Sequence, residues 1–398
     1  MTTELARHWS LDAKVAFLNH GSFGACPIEV LRYQAALRAE LEANPVRFLS
    51  REVFDRLDLA RKPLAAFVGA DPEDLAFVPN ATTGVNAVLR SLLFQAGEEL
   101  LVTDHAYKAC ANTVDFVAGR AGARVVVARV PFPLTSSDQV VDAVLRLVTP
   151  HTRLVMLDHV TSPTALVFPI ERLTRELSGR GVETLIDGAH APGMIPLDLR
   201  SLGATYYSGN CHKWLCSPKG AGFLYVMPTR RADVRPAIIS HGASATTPGR
   251  TRFQLEFDWT GTADPTAYLS VPKALEYMAG LVPGGWPEIM KVNRALALEG
   301  RRILCGMLGI GVPCPDAMVG SIASVPLPDG TSSEVAWRRP DPIQRRLFDG
   351  WGLEVPIHTW PAPPRRLVRI SAQLYNARDQ YVRLADALKK SLAEEPAA

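Results

Sequence analysis

Between residues 75 and 227 the chain carries short, uninterrupted apolar runs: LAFV (75–78), ELLVTD (99–104), RVVVARV (124–130), RLVMLDHV (153–160), ETLIDGAH (183–190), TYYSG (205–209) and GFLYV (222–226). The stretches between them read as amphipathic helices. Val-, Ile- and Leu-rich runs without polar alternation, separated by helices, predict a mainly parallel seven-stranded sheet covered on both faces. In such α/β folds ligands bind beyond the carboxyl ends of the strands. Polar residues at those ends are therefore the first place to look for chemistry.

Past residue 265 the pattern changes. A long helical region (267–308) is followed by strand candidates that include SIASVPL (321–327) and RLVRISAQL (366–374), and by a closing charged helix (378–392). This predicts a smaller α+β domain over 266–398, set against a large domain over 61–265. Residues 1–60 lack the sheet pattern and hold a predicted helix at 29–43. They are expected to pack on both domains or on a partner subunit.

At 398 residues and 47% apolar content the chain has enough material for two cores. Its 43 basic and 40 acidic side chains are scattered, giving a net charge of +3 and no basic block to follow nucleic acid or lipid. The start MTTELARHWSLDAK lacks the apolar core of a signal peptide, and no apolar stretch approaches the ~20 residues of a membrane span. A cytoplasmic location without membrane or nucleic-acid partners is the expectation. The six cysteines form neither a disulfide framework nor a CxxC pair with metal spacing, so no metal site is expected.

Two strand ends stand out. Asp187 closes ETLID, and Lys213 follows one strand later in SGNCHKWLCSPKG. A lysine and a carboxylate at successive strand ends are what pyridoxal 5'-phosphate (PLP) requires: the amine forms an imine with the aldehyde, and the carboxylate keeps the pyridine nitrogen protonated. PNATTGVNAVLRSL, directly after LAFV, offers a helix start near Gly84 at which Ala81, Thr82 and Thr83 would present amides and hydroxyls to a phosphate. Each feature alone also has an ordinary reading: a surface lysine, a turn-forming aspartate, a capped helix.

The order NHGSFG (19–24), NATTGVN (80–86), TDHAY (103–107), LDHVTSP (157–163), LIDGAHAPG (185–193), GNCHKWL (209–215) and VRISAQLYN (368–376) resembles the class V aminotransferase group of fold type I PLP enzymes. Within that group the chain is most similar to the isopenicillin N epimerase-like proteins. The resemblance makes Lys213 the imine-forming lysine and Asp187 the partner of the pyridine nitrogen. It assigns Ala81, Thr82, Thr83 and His212 to the phosphate, and His190 and His159 to the neighbourhood of the phenolic oxygen, where either is otherwise a hydrogen-bonded core histidine. His105 or Tyr107 would stack on the ring, and the sequence does not separate them. Thr262, in WTGTAD, matches a hydroxyl lent by a neighbouring subunit, which implies a homodimer with a shared site; the segment also reads as a turn. For an amino-acid substrate, Arg369 matches the carboxylate-binding arginine, while Asn19, Gly21 and the weaker Arg47 fall on the substrate side.

The group's reactions share one start: the Cα proton is removed, with the freed lysine as general base. Epimerisation of an amino acid in specialised, antibiotic-type biosynthesis is the leading expectation, with His105 or Tyr107 as a second acid/base. A residue of the N-terminal loop could equally serve as that second acid/base. A Cβ–S lyase or oxidative deaminase acting on an S-conjugated cysteine is the alternative, and a noncatalytic binding protein retaining the fold is a third reading. The segment 354–368, EVPIHTWPAPPRRLV, has no cysteine where desulfurases carry their nucleophilic thiol. The usual persulfide route is therefore disfavoured.

Overall fold

The computed structural model describes residues 3–330 and 340–395. All seven apolar runs form strands of one sheet: β1 (Leu75–Val78), β2 (Glu99–Thr103), β3 (Arg124–Ala128), β4 (Thr152–Asp158), β5 (Glu183–Gly188), β6 (Tyr206–Asn210) and β7 (Gly222–Val226). Their order is β1-β7-β6-β5-β4-β2-β3. β3, β2, β4, β5 and β6 are parallel, while β7 is antiparallel to both of its neighbours.

The lack of polar alternation has a plain cause, because both faces of these strands are buried. On β4, Val155 and Leu157 join one apolar cluster, and Leu154 and Met156 join the other. Each such side chain removed from water contributes about 1.5–3 kcal/mol, so the pleat's alternation feeds two helix-covered cores from one continuous run.

The predicted N-terminal helix is α1 (Ile28–Ala43), and α2 (Val53–Val68) runs across the expected boundary at residue 61. The long helical region resolves into Thr266–Leu269, Val271–Ala279 and Gly285–Leu308. Gly284 and Gly285 have φ of 93° and 61°, left-handed backbone that breaks the run after Pro283. The smaller sheet is antiparallel, ordered Ile357–Thr359, Arg366–Ser371, Ile322–Leu327, and is followed by the closing helix Arg378–Ala393. Its three-residue member, bounded by Pro356 and Pro361, is too short to announce itself in the sequence. Ala16–Phe17 pairs with Leu353–Glu354, and the Ser371 amide donates to the Leu18 carbonyl at 2.8 Å. These contacts carry the NHGSFG loop from the smaller sheet to the carboxyl ends of the large one. Among the described residues no helix is long and apolar enough to cross a membrane.

Candidate active site

A cavity of about 500 Å³ opens at those carboxyl ends, lined by residues that include Ser22, Ala81, Thr82, Thr83, Tyr107, Asp158, Asp187, His190, His212 and Lys213. Asp187 closes β5 and is the register partner of Asp158 on β4 and of Ser208 on β6. The turn after β6 then delivers Lys213.

The helix at the cavity floor begins at Ala81, three residues earlier than the sequence led us to expect, because Asn80 acts as its cap. Its side-chain oxygen accepts from the Thr83 amide at 2.9 Å, and the Asn210 side chain accepts from the Ala81 amide at 2.8 Å. Thr82 and Thr83 thus occupy the first turn, where the helix dipole is positive. Gly84 allows this helix to lie against β6: a Cβ there would stand 2.1 Å from the Ser208 hydroxyl oxygen.

Lys213 Nζ lies 3.2 Å from His190 Nε2. The Trp214 indole N–H approaches His190 Nδ1 at 3.5 Å, which assigns the ring's proton to Nε2, facing the lysine. Burial, with Lys213 next, holds His190 well below the usual histidine range. Lys213 is itself lowered to about 8, by burial first and then by Arg369, against the opposing pull of Asp187 and Asp158. The lysine backbone is clamped from the N-terminal loop. His20 Nε2 donates to its carbonyl at 3.0 Å, and Gly24, at φ 71°, passes so close that a Cβ would meet the His212 carbonyl oxygen at 2.0 Å.

The two aspartates differ. Asp187 accepts from the Ala189 amide at 3.0 Å and from the Cys110 thiol at 3.1 Å. Asp158 accepts from the Tyr107 amide at 3.2 Å. Burial raises both, and Asp158 is pushed well above the ordinary carboxylate range because the charge of Asp187 adds to burial. Two adjacent buried carboxylates do not both ionise readily, and the upward push is the stronger at Asp158, where the charge of Asp187 joins burial.

Not every candidate faces the cavity. His159 lies between two lining residues, Asp158 and Val160, and alternation along the strand turns it to the other face, where Nδ1 is 3.0 Å from the Tyr207 hydroxyl. His105 is buried with both ring nitrogens engaged, Nε2 donating to the Val130 carbonyl at 3.0 Å and Nδ1 accepting from Thr164 at 2.6 Å. Tyr107, by contrast, lines the cavity and is 44% exposed. Asn19 and Gly21 stand just behind Ser22. Asn19 accepts from the Ser22 hydroxyl at 2.6 Å, and the Gly21 amide donates to Ser371 at 3.0 Å. Arg47 is exposed and paired with Glu40 and Glu52 outside the cavity. Thr262 is also exposed and lines a different, largely apolar cavity of about 630 Å³ with Val46, Phe54 and Trp259.

Arg369 is 2% exposed and backs the cavity wall. It donates to the Ser162 carbonyl at 2.8 Å and to the Ser22 hydroxyl at 2.9 Å, and its Nε has no partner. Among the described residues no carboxylate pairs with it. A buried, uncompensated guanidinium is costly and calls for an anion. Asp158, Ser22, Ser162 and Asn210 were not singled out by sequence. For Asp158 a signal existed, since strand alternation puts residues 158 and 160 on one face and residue 159 on the other.

A neutralisable lysine, a buried carboxylate one strand away, a helix N-terminus with two threonines and an unpaired guanidinium fit the amine-reactive carbon, ring nitrogen, phosphate and substrate carboxylate of a PLP site. Residues 25–336 match the Aminotransferase class-V family. The chain belongs to this family. It is 37% identical to the isopenicillin N epimerase of Amycolatopsis lactamdurans over 96% of both chains. It is 30% identical to a probable chloroplastic L-cysteine desulfhydrase of Arabidopsis thaliana, covering 97% of this chain and 84% of that one. A solved C-DES variant with glycine covalently linked to its PLP cofactor superposes with a TM-score of 0.78 at 22% identity, covering 95% of this chain and 97% of the other. That likeness concerns the fold, the fold type I arrangement of the class V enzymes.

Proposed function

We propose that the protein is a PLP-dependent epimerase that removes and returns the Cα proton of an amino-acid substrate. The observation that carries the reading is the meeting of Lys213 and Asp187 in one buried cavity at the ends of adjacent strands. It also argues against a binding-only role, because a buried lysine lowered toward neutral pH and a buried carboxylate beside it are expensive to maintain without chemistry.

The cofactor, when bound, supplies an amine-reactive aldehyde and a ring that withdraws electrons from Cα. The protein supplies the rest. Lys213, lowered to about 8, alternates between neutral base and charged acid at the Cα proton. Asp187 holds a positive charge opposite itself in a dry site, where such a pair is strong. Thr82 and Thr83 hold the phosphate at the helix start. His190 offers its Nε2 proton to an oxygen beside the lysine, and Arg369 orients the substrate carboxylate from behind Ser22 and Ser162. Of the aromatic candidates for a second acid/base, Tyr107 has its side chain at the cavity, whereas both nitrogens of His105 are engaged.

The 37% identity to an isopenicillin N epimerase supports epimerisation, and with it a setting in antibiotic-type biosynthesis. The 30% identity to a desulfhydrase supports the second reading, elimination of sulfur from Cβ of a cysteine conjugate. Neither uses a protein thiol. All six cysteines are buried, and burial followed by the Asp187 charge pushes the Cys110 thiol up, away from a reactive thiolate. Incubation with bulky L-amino acids and S-conjugated cysteines in deuterated water separates the outcomes. Deuterium at Cα with inversion is expected; pyruvate release without inversion would replace epimerisation by elimination.

The lowered lysine predicts a pH dependence. The neutral amine is the nucleophile, so PLP uptake by cofactor-free protein should accelerate as pH rises and level off once pH passes about 8. An ordinary lysine would level off only above ~10. Stopped-flow absorbance reads the profile, and a rate still climbing steeply at pH ~10 would contradict the assignment.

We further propose a homodimer in which Thr262 serves the partner's phosphate site. Its exposure, beside an apolar cavity lined by Val46, Phe54 and Trp259, supports an interface there. Thr262→Ala should weaken PLP affinity by about ten- to a hundredfold, the value of one hydrogen bond to a charged group. Unchanged affinity in a titration would count against the shared site.

A further inference from the structure

The segment 354–368 lacks the cysteine of the desulfurases, but it carries a histidine whose surroundings point to a ligand. His358 sits on the strand Ile357–Thr359 and is the register partner of Leu367 on Arg366–Ser371. Directly opposed residues of an antiparallel pair share a face, and residue j+2 shares it too. His358 and Arg369 are therefore diagonal neighbours on one face of the small sheet, roughly 7–8 Å apart at the backbone.

Both side chains hold a buried nitrogen without a partner, Nε2 of His358 and Nε of Arg369. Buried polar groups are rarely left unpaired, and two on adjacent side chains mark a place that something else completes. The outer nitrogens of Arg369 are occupied by uncharged oxygens of Ser22 and Ser162, both of which line the cavity of Lys213. No anion from the described residues reaches this corner.

We propose that His358 is a substrate-binding residue that joins Arg369 in holding the α-carboxylate of the amino-acid substrate. The assignment rests on the PLP reading above and names a residue beyond it. A neutral imidazole suits the position. Burial and then the charge of Arg369 lower His358 to about 3, so at neutral pH it adds no second buried positive charge and keeps one N–H to offer a carboxylate. Arg369 supplies the charge, and His358 supplies direction.

Two carbonyl reagents isolate this contact from any particular turnover. Aminooxyacetate and O-methylhydroxylamine both displace Lys213 from PLP by the same chemistry, and only the first carries a carboxylate. Decay of the visible band of the PLP-loaded protein gives a rate constant for each. The wild-type ratio is expected to favour aminooxyacetate, and His358→Ala and His358→Leu should lower that ratio about tenfold. His358→Gln, which keeps a side-chain N–H, should retain most of it. A merely structural role would slow both reagents together and leave the ratio alone.

A wild-type ratio retained in the Ala and Leu variants would overturn the assignment, as would a Gln variant that falls as far as Ala. Absence of the visible band from wild-type protein would overturn the PLP reading and this assignment with it. A normal band with an unaltered ratio would overturn this assignment only.

Discussion

Replacing Lys213 by alanine is expected to lower turnover by about 10²–10⁴-fold, the usual contribution of a positioned general base. The loss should fall on kcat more than on KM, because the proposed function gives Lys213 the Cα proton and leaves carboxylate and phosphate recognition to Arg369 and to the helix beginning at Ala81. The variant should still take up PLP, since Thr82, Thr83 and Asp187 remain, but without the absorption of a lysine-bound cofactor. An added small primary amine should restore part of the rate, because the missing group is a base. Steady-state kinetics with and without the amine checks this. A variant that keeps its rate would remove Lys213 from the chemistry.

The second large effect separates two neighbouring carboxylates. Asp187→Asn should cost about a hundredfold or more, because a charge-assisted hydrogen bond in a dry site, worth up to about 3 kcal/mol, is replaced by a neutral one. Asp158→Asn should cost less than about tenfold. Burial and the charge of Asp187 favour the protonated form of Asp158, to which an amide is close in charge and shape, and the amide oxygen can still accept from the Tyr107 amide. Parallel measurement of kcat/KM in the two variants decides the point. Equal losses, or a larger one at Asp158, would mean that the charge assignment is reversed.

Much of this site could be read from sequence because its principal groups are tied to regular structure. The seven strands were legible because burial on both faces leaves uninterrupted apolar runs, and Asp187 and Lys213 were legible because strand ends are where α/β folds place ligands. Groups that depend on distant contacts were not. That both nitrogens of His105 are engaged is known only once Val130 and Thr164 are brought to it, and that Arg369 stands behind the wall rather than on it depends on Ser22 and Ser162. Asp158 is an intermediate case. Its place on the cavity face follows from strand alternation, whereas the upward push from Asp187 requires knowing that β4 and β5 are in register at Asp158 and Asp187. The cap at Asn80 was likewise open to sequence, since asparagine before a helix commonly accepts from the amide three residues on.

Which outcome follows deprotonation depends on the pocket around Cα. The lysine that begins it is a sharper claim. Borohydride reduction of the PLP-loaded protein, followed by proteolysis and mass spectrometry, tests it most directly. The account predicts the reduced cofactor's mass on the peptide containing Lys213, and on that residue alone. The same mass on another lysine, or on none, would contradict it.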